Sequence, residues 1–159
     1  MEAGAGAGAA SLTLLKDCRL YFPCRLHYRC RMTEPIARIA AERLVAALLA
    51  GRGTDRALDA LIQMLADDPR AARSGLCPVA AARRALACRP PRYTALAEAS
   101  AATARRRGYI IAKGGRSGKA WAGVWLPAAA GGPPLLTFGP DEARSAAAAL
   151  AEAMRIDSA

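Results

Sequence analysis

A chain of 159 residues can bury one real core, with room for a small appendage but not for a large catalytic architecture. About a quarter of the residues are alanine and only 5% are aromatic, so a few Leu, Ile, Val, Phe and Trp side chains must carry most of the packing. The formal charge of +10 is unevenly spread, with ten basic side chains against one acidic between residues 78 and 126, and such a density is the footprint of a polyanion-binding surface, nucleic acid above all.

Residues 1–31 read as a disordered appendage. MEAGAGAGAAS is of low complexity, the following LTLLKDCRLYFPCRLHYRCR keeps no helical or strand period, and Met32 opens the regular sequence, as an alternative start would. From there to about residue 107 a helical part is expected. Ile36, Ala40, Leu44 and Leu48 recur at four-residue steps until Gly51. Thr54 is placed to cap a second helix with the stripe Leu58, Leu61, Ile62 and Leu65, closed by Asp67, Asp68 and Pro69. A loop from Arg70 to Cys77 leads to Pro78 at the head of a third helix, with Val79, Ala82 and Leu86 on its apolar side. A fourth runs from about Arg92 to Arg107, its stripe Tyr93, Leu96, Ala97, Ser100 and Ala104, with Gly108 as its stop.

Residues 108–159 change character and read as a three-strand-plus-helix module. Tyr109 to Lys113 and Lys119 to Leu126 are β-branched and aromatic stretches joined through Gly114, Gly115 and Gly118, which predicts a hairpin. Period two puts Lys119, Trp121, Gly123 and Trp125 on one face of the second strand and Ala120, Ala122, Val124 and Leu126 on the other. Leu135 to Phe138 forms a third strand, and Asp141 opens a last helix whose stripe of Ala143, Ala147, Leu150 and Met154 suits the aliphatic face. The predicted class is α+β.

Catalytic and metal chemistry find little support. Gly114, Gly118 and Lys119 imitate a phosphate loop, but the glycine spacing is short, Ala120 replaces the magnesium-binding hydroxyl, and a strand follows instead of a helix. Cys18, Cys24, His27 and Cys30 do not have a common zinc spacing, and His27 is the single histidine, so no Ser-His-Asp or Cys-His arrangement arises in the compact part. The carboxylates read as solvated groups on helix faces and ends. No catalytic residue, metal or cofactor is expected. Five unevenly spaced cysteines, and the want of a leader or a long apolar run, predict a soluble, cytoplasmic protein with reduced thiols and no membrane partner.

The remaining constellation is Arg105, Arg106 and Arg107 ahead of the hairpin, and Lys113, Arg116, Lys119, Trp121 and Trp125 on it. Cations neutralise phosphates, and tryptophans pack on sugars and thymine methyls or stack on exposed bases. The competing use of the Trp face is as core beneath the N-terminal helices. Engagement of about four to six phosphates predicts a slope of log K against log salt near −4 to −5.

The run GKAWAGVWLP from Gly118 to Pro127, then LLTF, then GPDEARSAAAAL, resembles the three-strand-plus-helix DNA-binding domain of the ethylene-response-factor type, found also in phage integrase arm-binding modules and some homing endonucleases. The likeness covers residues 109–155. It implies a sheet laid in the major groove, with Lys113, Arg116, Lys119, Trp121 and Trp125 in contact. Trp121 stands one place later than in that pattern, and the third strand has no arginine or tryptophan. The order from Pro78 to Leu126 also fits a winged helix-turn-helix with Arg92 to Arg107 as recognition helix, although that helix offers mostly Ala, Ser and Thr for base readout. The order of a double-stranded-RNA-binding domain fits too, but Asp141 and Glu142 stand where it places lysines. The functional expectation is a small, non-enzymatic protein binding duplex DNA, a regulatory or accessory factor of a phage or other mobile element. The rival is a protein-interaction module or inhibitor whose basic hairpin docks on an acidic partner.

Overall fold

The computed structural model describes residues 38–116, 118–127 and 132–159. The expectations for residues 1–31, for Met32 as a start, for Cys18, Cys24, His27 and Cys30, for Ile36 in the first helix and for most of the loop after Pro127 lie outside these residues.

The chain is α+β: helices first, then a three-stranded antiparallel sheet in the order β1-β2-β3, then one long helix. The helices are α1 (Ala41–Ala50), α2 (Arg56–Asp67), α3 (Ala71–Ser74), α4 (Pro78–Cys88) and α5 (Ala97–Arg106). The sheet is β1 (Ile110–Arg116), β2 (Lys119–Trp125) and β3 (Leu135–Gly139), and α6 (Glu142–Asp157) closes the chain. Cys77 and Cys88 are free thiols, and among the described residues no helix is long and apolar enough to cross a membrane.

The helical stripes are mostly where the periodicity puts them, and the departures have local causes. In α1, Leu44 and Leu48 are buried, but Ile39 is not helical. It bridges to Leu76, with Ile39 N donating to Leu76 O at 2.9 Å and Leu76 N to Ile39 O at 2.7 Å. Asp55, not Thr54, caps α2: its carboxylate accepts from the Ala57 and Leu58 amides at 3.0 and 3.1 Å, and a full negative charge there also suits the positive end of the helix. Leu86 points outwards at 77% exposure while Ala81 is buried, because alanines on several sides of α4 leave its apolar stripe weakly defined and packing on α2 decides its rotation. Residues Arg92 to Leu96 form a turn instead of the first turn of α5, so Leu96 is exposed. Tyr93 is driven into the core, where its hydroxyl donates to Gln63 Oε1 at 2.7 Å.

Asp59 was expected in solvent and is instead fully buried. Its carboxylate accepts from Thr94 N (2.7 Å), Thr94 Oγ1 (2.9 Å) and Arg56 Nη1 (2.9 Å), pinning the turn before α5 to α2. Burial pushes its pKa up, against the pull of these donors.

The centre of the molecule is α6. Residues Ala143 to Ala151 are all buried, because the helix is covered by the sheet on one side and by α1 and α5 on others. Alanine makes this feasible, since small side chains let neighbouring backbones approach from several directions at once. Asp141 caps it by accepting from Arg144 N at 2.8 Å. The sheet's inner face supplies Ala120, Ala122 and Val124, and Thr137 Oγ1 donates to Ser145 O at 2.7 Å. Leu44, Leu48, Leu61, Leu65, Val124 and Leu150 belong to one cluster, so the helical part and the sheet share a single core.

Candidate functional site: the outer face of the sheet

Strand pairing places Ile110, Ala112, Gly114 and Arg116 of β1 beside Trp125, Gly123, Trp121 and Lys119 of β2, and Leu136 and Phe138 of β3 beside Gly123 and Trp121. These residues share one face, opposite α6. The helices that meet the sheet do so from the inner side, where Leu49 of α1 approaches Gly139 and Glu98 of α5 reaches Lys113. The outer face therefore shows its large side chains to solvent: Phe138 is 70% exposed, Ile110 69% and Leu136 54%, with Trp121 and Trp125 half-buried.

Trp121 has a particular setting. It lies across β1, with three indole atoms (Cζ2, Cε2 and Nε1) all 3.3–3.4 Å from where a Cβ of residue 114 would sit. Near-equal distances to three ring atoms mean that a ring face rests on Gly114, with the residue half-buried as a whole. Phe138 is its direct cross-strand neighbour on the far side. The result is an aromatic platform of two rings, spaced as cross-strand pairs are, with Cβ atoms about 5 Å apart.

At the hairpin end of this face, Arg116 and Lys119 stand opposite each other, both exposed. Just before Arg116, the end of β1 depends on Gly115, whose φ of +112° is in the left-handed region and whose Cβ would lie 2.7 Å from Ala120 Cα. Gly118 N donates to Pro140 O at 2.8 Å, tying the hairpin tip to the start of α6. Comparison with protein-family models, with curated proteins and with solved structures returns no match.

Of the eight residues singled out in the sequence, four meet on this face: Arg116, Lys119, Trp121 and Trp125. Lys113 is on the inner face, its ammonium 2.5 Å from Glu142 Oε1 and 2.8 Å from Glu98 Oε1. These bonds, to Glu142 first, raise its pKa and hold it in place. Arg105, Arg106 and Arg107 end α5, near the start of β1 and about 20 Å along the strand from Arg116. Arg106 donates to Thr103 Oγ1 at 2.9 Å, and Arg107 donates to the carbonyl of Ala66, one of the last-turn carbonyls of α2. Two of the three arginines are thus tied to the helical layer.

Phe138, Leu136 and Ile110 were missed. The available signal was Thr137, a small polar residue between two large apolar ones, which fixes the parity of β3 once Ala122 is assigned to the inner face.

A concavity of about 540 Å³ opens between the first turns of α5 and α6 and is lined by Thr54, Thr94, Glu98, Lys113, Asp141 and Glu142. Its lysine is engaged by its two glutamates and Asp141 by the cap of α6, so these groups hold the two helix ends and β1 together.

Proposed function

We propose that this protein binds nucleic acid without modifying it, as a regulatory or accessory factor, and that the outer face of its sheet is the contact surface. The observation that carries this reading is the joining, on one uncovered face, of Trp121, Trp125 and Phe138 with Arg116 and Lys119. Cations at one end offer phosphate contacts, and aromatic rings beside them offer contacts to sugars and bases. The resemblance to the ethylene-response-factor type of domain supports the use of the same face.

The placement of the cations changes the expected strength of the salt effect. With only Arg116 and Lys119 on the face, the slope of log K against log salt falls to about −2, well short of the −4 to −5 expected from the full cation set. Fluorescence anisotropy with labelled DNA over a salt series measures it. Absence of binding at low salt, or binding that ignores salt, refutes the reading.

One observation favours the protein-docking alternative: Ile110 and Leu136 are exposed and aliphatic, and an apolar centre with a cationic rim also describes a protein interface. A partner retained on the immobilised protein after nuclease treatment, and lost with Leu136→Asp, distinguishes that case.

A further inference from the structure

We infer that the outer face takes unpaired bases, stacking them on Trp121 and Phe138, rather than reading an intact duplex; this rests on the nucleic-acid reading above. Three features lead to it. The indole of Trp121 lies against Gly114 on the outer face and is half-buried there, so part of its surface remains open. Phe138 beside it is 70% exposed, more than a ring serving only to pack against its own sheet. The cations are few and confined to the hairpin end, where Arg116 and Lys119 face each other.

The balance of forces separates the two forms of nucleic acid. A duplex presents phosphates and hydrated groove edges, and a duplex binder draws most of its affinity from neutralising those phosphates. An aromatic and aliphatic stripe would displace that water with nothing to replace its hydrogen bonds. Unpaired bases instead offer π-faces that an indole and a phenyl ring can cover, whatever the sequence. Arg116 and Lys119 then hold the phosphates of the same strand, giving the charge complementarity that sets its path across the hairpin end.

The test compares one labelled oligonucleotide alone and annealed to its complement, at fixed salt, by anisotropy and by tryptophan fluorescence of the full chain. The expected result is tighter binding of the single strand, with quenching that persists in Trp125→Phe, where Trp121 is the remaining tryptophan of two. Phe138→Ala, at an exposed position and therefore compatible with folding, lowers single-strand affinity about 5- to 150-fold, and Phe138→Trp restores it. Circular dichroism of each variant confirms that the fold is retained. Duplex binding as tight as single-strand binding, or a Phe138→Ala affinity equal to that of the parent, overturns the stacking inference and leaves the nucleic-acid reading standing. Failure to bind either form overturns both.

Discussion

Arg144 offers the sharpest test of how the two ends of the chain are joined. It stands in the first turn of α6, where the helix dipole disfavours a cation, yet it is 2% exposed and has no carboxylate partner among the ion pairs of the described residues. Its guanidinium instead reaches the end of α1, donating to Gly53 O from Nη2 at 2.9 Å and from Nε at 3.1 Å, with longer contacts of 3.3–3.4 Å to Arg52, Ala47 and Leu48 carbonyls. Ala47 and Leu48 are in the last turn of α1, the negative end of that helix, and Arg52 and Gly53 follow it in the loop, so the charge is met by helix-end and loop carbonyls together. Replacing Arg144 with Met keeps much of the stem but removes every donor. Two charge-assisted bonds to the Gly53 carbonyl are lost and the buried Leu48 carbonyl loses a donor, a cost of about 2–4 kcal/mol. For a chain of this size that lowers the melting temperature by about 5–15 °C. Gly51 completes the test. Its φ of −85° suits any residue, but an added Cβ would lie 2.8 Å from Arg144 Cζ. Gly51→Ala alone should therefore cost about 1–3 kcal/mol from overpacking, and most of that cost should vanish in the Arg144→Met background, where the guanidinium is gone. Urea denaturation of the four proteins in this cycle measures the coupling. Additive effects would show that Gly51 is not held small by Arg144, and an unchanged stability in Arg144→Met would show that its bonds do no more than offset the cost of burying the charge.

Other outcomes follow from the hairpin and the core. Gly115→Ala forces a side chain into the left-handed region and against Ala120, so it should destabilise the fold by about 2 kcal/mol or more and be visible as an earlier thermal transition. Lys119→Ala should weaken nucleic-acid binding and reduce the salt slope by about 1, whereas Lys113→Ala, on the inner face between Glu98 and Glu142, should leave the slope unchanged in the same anisotropy series. The Tyr109 hydroxyl is buried and donates to Asp157 Oδ2 at 2.6 Å, and burial, then the carboxylate, push its pKa up to about 12. Because the folded pKa is raised above 10, the stability this phenol contributes is fully present below pH 10 and is lost as pH rises through about 12. Ultraviolet titration of the phenolates should show a late component that Tyr109→Phe reduces, the rest coming from Tyr93, whose pKa burial also raises; ionisation of all tyrosines near pH 10 would contradict it.

The sheet and its helix were legible because their rules are local. Gly114, Gly115 and Gly118 mark the turn, alternation from Lys119 to Leu126 fixes two faces, and the small aliphatic stripe of β2 matches the alanines of α6. What alternation does not say is which face a helix will cover. That was decided by α6, α1 and α5 all packing on the same side, a consequence of a central helix small enough to be surrounded. Asp59 and Arg144 were illegible for a related reason. Their partners, Thr94 and the carbonyls of residues 47–53, are far along the chain, and a charged residue on a helix carries no local sign that a distant backbone will bury it.

The same non-local pairing governs the functional reading. The basic excess between residues 78 and 126 suggests a broad cationic surface, but folding spends several of those charges on structure: Arg84 on Asp67, Arg107 on the Ala66 carbonyl, Lys113 on Glu98 and Glu142. What reaches the outer face is a pair of cations and a run of aromatic and aliphatic side chains. Linear charge density therefore overstates how cationic this face is, and the parity of β3 reveals its apolar part. On the proposed reading, recognition would depend on how closely Trp121 packs on β1, and that packing depends on residue 114 having no side chain.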